Sequence, residues 1–157
     1  MKICDVLQKD KIIMEFKSLE KDDVINQLID LFKGDERVND LEKLRESVFE
    51  REKIMSTGVG NGFAIPHAKT SGVSEMIAGF GKLSEPIEFE ALDNQPVNMI
   101  LLLVGEQNAV SQHIKMLSRV SRLMNKESFR NSLLNAKTPE QIYSIFEEEE
   151  KNFLEIN

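Results

Sequence analysis

The sequence predicts one α/β domain, built on a mixed β-sheet with helices on both faces. Residues 97–104 are apolar on both faces of an extended chain, which is typical of a central strand in a covered sheet. Residues 21–33 and 109–124 instead repeat their apolar side chains at helical spacing. Strands and helices alternate unevenly along the 157 residues, which favours a mixed sheet within a single domain.

The first third of the chain is predicted to be mainly helical. Residues 3–16 fit a short helical turn followed by a short strand, and the helix over 21–33 ends at a glycine. A second helix begins near Asn39 or Asp40, since either side chain can cap it, and runs through Arg51 or slightly further.

Residues 56–67 form the most unusual stretch of the sequence, Ser-Thr-Gly-Val-Gly-Asn-Gly-Phe-Ala-Ile-Pro-His. Three glycines at alternate positions allow a tight turn and a close approach of the backbone to a bound group. The apolar residues 63–65 suffice for a short buried strand, which Pro66 ends. The pattern predicts that His67 is held at the end of this strand, as part of a functional site.

The remaining sequence predicts strands followed by helices. Residues 75–83 and 86–89 are expected to be extended, residues 93–96 to form a turn, and residues 105–108 to be a loop after the central strand. His113 then falls in the first turn of the helix over 109–124.

Two further helices are predicted at the C-terminal end. One covers 126–134, and the last opens at Thr138 and Pro139, with Gln141 completing a capping box. We expect the domain core to span about 3–148, with the acidic residues 147–157 as a solvated helix end.

Composition and charge exclude several classes of function. A net charge of −7 argues against a nucleic-acid partner, which needs a basic surface. The longest apolar run, 99–104, is too short to insert into a membrane. The single cysteine and the absence of a signal peptide predict a cytoplasmic protein, and 41% hydrophobic residues suffice for a core without a disulfide or metal.

Three side chains together suggest a site that receives a phosphoryl group. His67 and His113 each follow a strand, where ligands of α/β sheets collect, and Arg51 lies at the end of the second helix. Arginine binds phosphoryl oxygens through a planar fork, and a neutral histidine is a competent nucleophile. Amides of the glycine-rich loop are expected to hold the remaining charge; they belong to Gly58, Gly60 and Gly62.

Each of these residues also fits a purely structural position when it is considered alone. A histidine is commonly a surface or satisfied core residue, Arg51 lies among charges typical of a solvated helix end, and the glycines match neither dinucleotide nor P-loop motifs. A metal site is disfavoured because no close pair of ligands exists. A serine nucleophile at Ser56 lacks the usual elbow motif.

Taken together, the motifs resemble the enzyme IIA domain of the phosphotransferase system, of the fructose/mannitol type that includes a nitrogen-regulatory branch. The resemblance rests on Arg51-Glu52, on the glycine-rich stretch through Ala64-Ile65-Pro66-His67, and on His113-Ile114-x-x-Leu117. It continues through 86–89, 93–97, 101–104 and 138–140. One difference is Gly105-Glu106, which stands where many members of the family have a proline.

The resemblance implies a mixed sheet flanked by helices, with no cofactor and no metal. It implies that His67 accepts the phosphoryl group from the phosphocarrier protein HPr, and that His113 and Arg51 stabilise it. Ser56 and Thr57 lie within the motif and are expected to make supporting contacts. A IIB partner would then receive the phosphoryl group during fructose or mannitol uptake. The alternative is a regulatory protein whose phosphorylation state controls its binding to target proteins.

Overall fold

The computed structural model describes residues 1–17 and 19–156, with side chains described as far as residue 152. Twelve elements occur in these residues. They are, in chain order, α1 (Ile3–Val6), β1 (Leu7–Ile13), α2 (Lys21–Asp30), α3 (Leu41–Ile54), β2 (Gly58–Gly60), β3 (Phe63–Ala64), β4 (His67–Thr70), β5 (Ile77–Ile87), β6 (Val97–Glu106), α4 (Val110–Met124), α5 (Glu127–Asn135) and α6 (Pro139–Ile156).

The six strands form one mixed sheet around β6. The strand order is β1-β5-β6-β3-β2, and β4 also pairs with β6. β5 lies antiparallel to β6, whereas β3 and β4 follow one another along its other edge and run parallel to it. The prediction of a mixed sheet with its central strand at residues 97–104 is therefore confirmed.

Two hydrophobic clusters cover the two faces of the sheet. Met99, Leu101 and Leu103 of β6 pack with residues of α1, α4, α5 and α6. Ile100 and Leu102 point to the opposite face, where α2 and α3 pack. Successive side chains of a strand alternate between faces, so a strand with two apolar faces must have helices on both.

The strands differ from the sequence prediction at three places. The extended stretches predicted at 75–83 and 86–89 are joined in one strand, β5, which spans Ile77–Ile87 and whose pairing with β6 shifts between Lys82 and Ile87. Residues 67–70, to which the sequence analysis assigned no element, form β4, and β6 continues through Glu106 into the predicted loop. The long central strand offers enough free edge to pair with β3 and β4 in succession.

Side-chain caps begin two of the helices where the sequence predicted them. The carboxylate of Asp40 accepts a hydrogen bond from the amide of Lys43 at 3.0 Å, which identifies Asp40 as the cap of α3. At α6, the hydroxyl of Thr138 accepts from the amide of Gln141 at 3.1 Å. The side chain of Gln141 reaches past Thr138 to accept from the amide of Lys137, so the capping box is displaced by one residue.

The acidic run at residues 147–150 is not entirely solvated, contrary to the sequence prediction. The side chain of Glu150 is 1% exposed and accepts hydrogen bonds from the amides of Ile3 at 2.7 Å and Cys4 at 3.0 Å. These amides have no partner within the short helix α1, because the first amides of a helix lack intrahelical acceptors. Glu150 thus joins the two ends of the chain.

Among the described residues, no helix combines the length and apolar character needed to span a bilayer.

Candidate functional site

The two histidines of the chain lie side by side at one end of the sheet. The ring centroids of His67 and His113 are 5.6 Å apart, and the rings are inclined at 47°. His67 is the first residue of β4 and pairs with Leu103 of β6. The chain leaves β6 at that same end and enters α4, which carries His113 in its first turn. The parallel pairing of β4 with β6 therefore brings the two residues together.

His67 opens a strand, whereas the sequence predicted that it ends one. Its Nδ1 lies 2.7 Å from the carbonyl oxygen of Ile65, and the ring is partly exposed. A carbonyl oxygen can only accept a hydrogen bond, so Nδ1 must carry the proton. In the neutral ring, the lone pair is then on Nε2. His67 thus presents Nε2 as its nucleophilic nitrogen.

The surroundings of His67 favour the neutral form of its ring. Burial lowers the pKa of His67 below its ordinary value, and the positive charges of Arg51 and Lys69 lower it further. The hydrogen bond to Ile65 and the negative charge of Glu52 act in the opposite direction. Because the net effect on the pKa is downward, the Nε2 lone pair is available at neutral pH.

His113 is a buried neutral ring that retains its capacity for hydrogen bonds. It is 3% exposed, and neither ring nitrogen has a hydrogen-bond partner within the part of the chain that the structure describes. Burial lowers the pKa of His113 to about 4, with smaller contributions from the charges of His67 and Lys69. A neutral imidazole has one donor and one acceptor, and leaving them unsatisfied in the interior costs free energy.

Arg51 approaches this site from the last turn of α3. One of its guanidinium nitrogens donates to the carbonyl oxygen of Met55 at 2.8 Å. The charge of Arg51 is close enough to lower the pKa of His67. The guanidinium has five N–H donors, so this contact leaves others for an anion beside His67.

Gly60 and Gly62 lie away from the histidines along β6, and their expected contact with a phosphoryl group stays a prediction. They have positive φ angles of 108° and 76° in the turn that joins β2 to β3. Phe63, next to this turn, pairs with Met99, four residues before the partner of His67 on β6. Four residues of strand span about 13 Å. These glycines therefore build the hairpin turn.

Ser56, Thr57 and Gly58 lie where the chain leaves α3 and enters the hairpin of β2 and β3. A Cβ on Gly58 would lie 2.6 Å from the Cβ of Ala91, so close packing explains this glycine. The hydroxyl of Ser56 donates to the carbonyl oxygen of Phe89 at 2.8 Å and accepts from the amide of Gly58 at 3.1 Å. Thr57 is buried and bonds to a carboxylate. Both hydroxyls therefore have structural partners.

Two residues near the site were not assigned roles from the sequence. Lys69 is exposed and lies two residues beyond His67, so both side chains lie on one face of β4. Its positive charge lowers the pKa of both histidines. Glu52 is 7% exposed and receives hydrogen bonds from Thr57. The signal for Glu52 was helical spacing: it continues the buried stripe of Leu44 and Val48 at four-residue intervals.

Exposed apolar side chains occur beside the site. Ile54 and Met55, which follow Arg51, are 79% and 54% exposed. Val110 and Ile114 flank His113 on α4 and are 43% and 59% exposed. Large exposed apolar residues are typical of surfaces that contact another protein.

Among the described residues, no group of three or more His, Cys, Asp or Glu side chains could hold a metal ion.

Comparison with known sequences identifies related proteins. Residues 5–149 match the family model for the phosphoenolpyruvate-dependent sugar phosphotransferase system, EIIA 2. The PTS system fructose-specific EIIABC component of Bacillus subtilis is 34% identical over 151 residues, which are 96% of this chain but 24% of that protein. A nitrogen regulatory protein of Bradyrhizobium diazoefficiens is 32% identical over 146 residues, 92% of this chain and 94% of that protein.

Comparison with solved structures gives the same fold. The nitrogen regulatory protein IIA-Ntr from Neisseria meningitidis superposes with a TM-score of 0.81 at 29% sequence identity. The match covers 92% of this chain and 98% of that one. The similarity therefore extends over most of the chain.

Proposed function

The chain belongs to the EIIA 2 family of the phosphoenolpyruvate-dependent sugar phosphotransferase system, and we propose that it carries a phosphoryl group on Nε2 of His67. The proposed donor is a phosphohistidine on an HPr-like phosphocarrier protein, and the proposed acceptor is a IIB domain or protein. The observation that carries this proposal is the pairing of two neutral imidazoles, one of which has Nδ1 anchored to the carbonyl of Ile65. Membership of the family supports a transferase role.

In the proposed transfer, the Nε2 lone pair of His67 attacks the phosphorus atom of the donor's phosphohistidine. A new N–P bond forms as the donor's N–P bond breaks, and the bonding electron pair returns to the donor ring. The proton on Nδ1 of His67 stays in its hydrogen bond to Ile65 throughout. The donor ring enters this step protonated on its other nitrogen and leaves as a neutral imidazole, while His67, which keeps its Nδ1 proton, becomes a phosphorylated imidazolium.

Arg51 and His113 are proposed to stabilise the charge on the phosphoryl oxygens. Arg51 supplies N–H donors and a positive charge beside His67. The ring of His113, whose nitrogens have no other partner among the described residues, can donate one hydrogen bond to a phosphoryl oxygen. Preorganised donors in a water-poor site stabilise developing charge more effectively than donors in bulk water.

A protein rather than a small molecule is the proposed source of the phosphoryl group. His67 is partly exposed, and apolar side chains with more than two fifths of their surface exposed occur on both α3 and α4. A partner that buries these side chains would exclude water from the transferring phosphoryl group. Excluding water matters because the N–P bond would otherwise be lost to hydrolysis.

A regulatory protein is the second candidate function. The relatives include both a fructose-specific component and nitrogen regulatory proteins. The chain covers 94% of the Bradyrhizobium regulatory protein but 24% of the Bacillus fructose component. In this alternative, His67 is phosphorylated in the same way, and the phosphoryl group controls which target proteins bind.

The test of His67 uses purified enzyme I, HPr and labelled phosphoenolpyruvate. We expect the parent protein to take up label in a bond that is labile in acid and stable in alkali, as for an N-phosphoryl imidazole. The matched pair His67→Ala and His113→Ala each remove one imidazole, and only the first should abolish uptake. Uptake by His67→Ala equal to that of the parent would exclude this residue as the acceptor.

The two candidate functions differ in what the phosphorylated protein does next. Labelled protein is mixed with candidate IIB proteins from the same source, and loss of label from the chain is followed over time. Rapid transfer to a IIB protein supports the transport role. Stable label, together with binding of a target protein that differs between the two phosphorylation states, supports the regulatory role.

A further inference from the structure

We propose that Glu52 is a positioning residue that fixes the tautomer and orientation of His67 through Thr57 and Ile65. The inference deepens the proposed function, since it concerns the nitrogen that would receive the phosphoryl group. Glu52 lies in α3 and does not contact the imidazole ring directly. Its influence instead follows a series of hydrogen bonds across three segments of the chain.

The series begins with a buried carboxylate that holds Thr57 by two bonds. One oxygen of Glu52 accepts from the amide of Thr57 at 2.9 Å, and the other accepts from its hydroxyl at 2.5 Å. The ammonium group of Lys21 lies 3.1 Å from the first oxygen. A buried carboxylate is stable only when it is paired and hydrogen-bonded, and these contacts satisfy that requirement. Thr57 is therefore fixed at both its backbone and its side chain.

Thr57 in turn holds the residue that contacts His67. The carbonyl oxygen of Thr57 accepts from the amide of Ile65 at 3.0 Å. The carbonyl oxygen of Ile65 accepts from Nδ1 of His67 at 2.7 Å. Pro66, with its restricted φ angle, is the only residue between Ile65 and His67. Both backbone groups of Ile65 are thus engaged, and its carbonyl has one defined direction.

This direction determines which nitrogen of His67 can react. A carbonyl oxygen against Nδ1 favours the tautomer with the proton on Nδ1 and the lone pair on Nε2. The other tautomer would put the Nδ1 lone pair against the carbonyl oxygen and a proton on Nε2. Loosening Ile65 would reduce the preference between the two tautomers. Glu52 therefore acts on the nucleophile through the backbone that orients it.

The negative charge of Glu52 also influences the pKa of His67. Arg51 and Lys69 lower this pKa, whereas Glu52 raises it. The carboxylate thereby offsets part of the effect of the two cations on the basicity of the nucleophile. A more basic nitrogen is a better nucleophile toward phosphorus.

The test measures the tautomer of His67 directly in the unphosphorylated protein. Nitrogen-15 NMR of labelled histidine distinguishes a protonated Nδ1 from a protonated Nε2. We expect Nδ1 of His67 to be protonated almost completely in the parent, and Glu52→Gln and Thr57→Val each to give a measurable population of the other tautomer. Thr57→Ser retains the hydroxyl and should restore the parent spectrum.

The same variants are compared in phosphoryl uptake from phospho-HPr. We expect the initial rate to fall on the order of tenfold or more in Glu52→Gln and Thr57→Val, because small errors in the position of a reacting group have effects of this size. Thr57→Ser should remain near the parent rate. If Glu52→Gln fails to fold, the comparison of Thr57→Val with Thr57→Ser tests the proposal.

A control separates positioning from a general loss of stability. The ammonium group of Lys82 donates to the carbonyl oxygens of Leu133 and Leu134 at the end of α5, which packs on the opposite face of the sheet from α3. Lys82→Met should lower the melting temperature without changing the tautomer of His67. An unchanged tautomer in folded Thr57→Val, or the same tautomer change in Lys82→Met, would overturn the proposal.

The two readouts also distinguish failure of this inference from failure of the proposed function. The tautomer is measured without any phosphoryl donor, so it tests the link from Glu52 to His67 by itself. A parent protein that takes up no label contradicts the phosphoryl-carrier function, whatever the tautomer results are. Normal uptake by the parent with no tautomer change in the folded variants contradicts the positioning role alone.

Discussion

Gly105 lies directly against the ring of His113, and a Cβ at this position would be 2.8 Å from Nδ1 of the histidine. Real Cβ contacts are essentially never that short, so any larger residue would displace the ring. Gly105 pairs with Lys69 of β4 near the end of β6, where the strand edge supports both histidines. Gly105 thus provides the space that the buried imidazole of His113 occupies.

The first prediction is that Gly105→Ala impairs phosphoryl transfer by displacing His113. We expect transfer to a IIB protein to slow on the order of tenfold, since the displaced ring no longer reaches the phosphoryl oxygens. The control is Gly79→Ala on β5, where the nearest atom to the new Cβ would be a ring carbon of Phe32 at 3.4 Å. Equal transfer rates in the two variants would show that the contact is unimportant.

The second prediction concerns the ring of His113 itself. We expect His113→Ala to accept label from phospho-HPr but to transfer it slowly, because the phosphoryl group loses a hydrogen-bond donor that stabilises its charge during the second transfer. Single-turnover transfer to a IIB protein is the measurement. Gln112→Ala alters the exposed neighbouring residue and should transfer normally. Parent-like transfer by His113→Ala would remove this residue from the mechanism.

The third prediction is that acidification destabilises the protein through His113. The pKa of this histidine falls from its ordinary value of 6.5 to about 4 in the folded protein. Between these values the unfolded state binds more protons, so the free energy of unfolding decreases as the pH falls from about 6.5 toward 4. Over this range His113 alone lowers the free energy of unfolding by about 3 kcal/mol.

Urea denaturation at several pH values between 7.5 and 4.5 measures this effect. The variant His113→Gln lacks the titrating group, so its stability should depend less on pH over this range. His67, whose pKa is also lowered, is present in both proteins. Identical pH dependence in the parent and the variant would contradict the prediction.

The fourth prediction is that Cys4 reacts slowly with alkylating reagents in the folded protein. Burial raises the pKa of its thiol to about 12, and the negative charge of Glu150 contributes. Because the thiolate is the reactive form, we expect iodoacetamide at pH 8 to modify Cys4 on the order of 1000-fold more slowly than a free cysteine.

Mass spectrometry over time follows this alkylation. Glu150→Gln removes the nearby charge and weakens the bonds to the amides of α1, so modification should become faster. Glu148→Gln, in the same acidic run but on an exposed side chain, is the matched control and should react like the parent. Rapid modification of the folded parent would show that the thiol is not shielded.

The sequence by itself determined the architecture of this protein. The two apolar faces of residues 97–104 required helices on both sides of a central strand. Apolar spacing located α2 and α4 in the chain, although α2 ends at Asp30 rather than at residue 33. Asp40 and Thr138 marked helix starts through their side-chain chemistry. These features could be predicted because periodicity and capping depend on residues within a few positions of one another.

The tertiary structure decided how the polar residues are used. Sequence reasoning treated the glycine-rich stretch as one site, but its turn lies about 13 Å along β6 from His67. It also treated Glu150 as solvated, and it gave Glu52 no function. Each of these carboxylates is buried because it meets backbone amides from another segment. A buried polar group is stable only with such a partner, and the pairing of distant segments determines which partner is present.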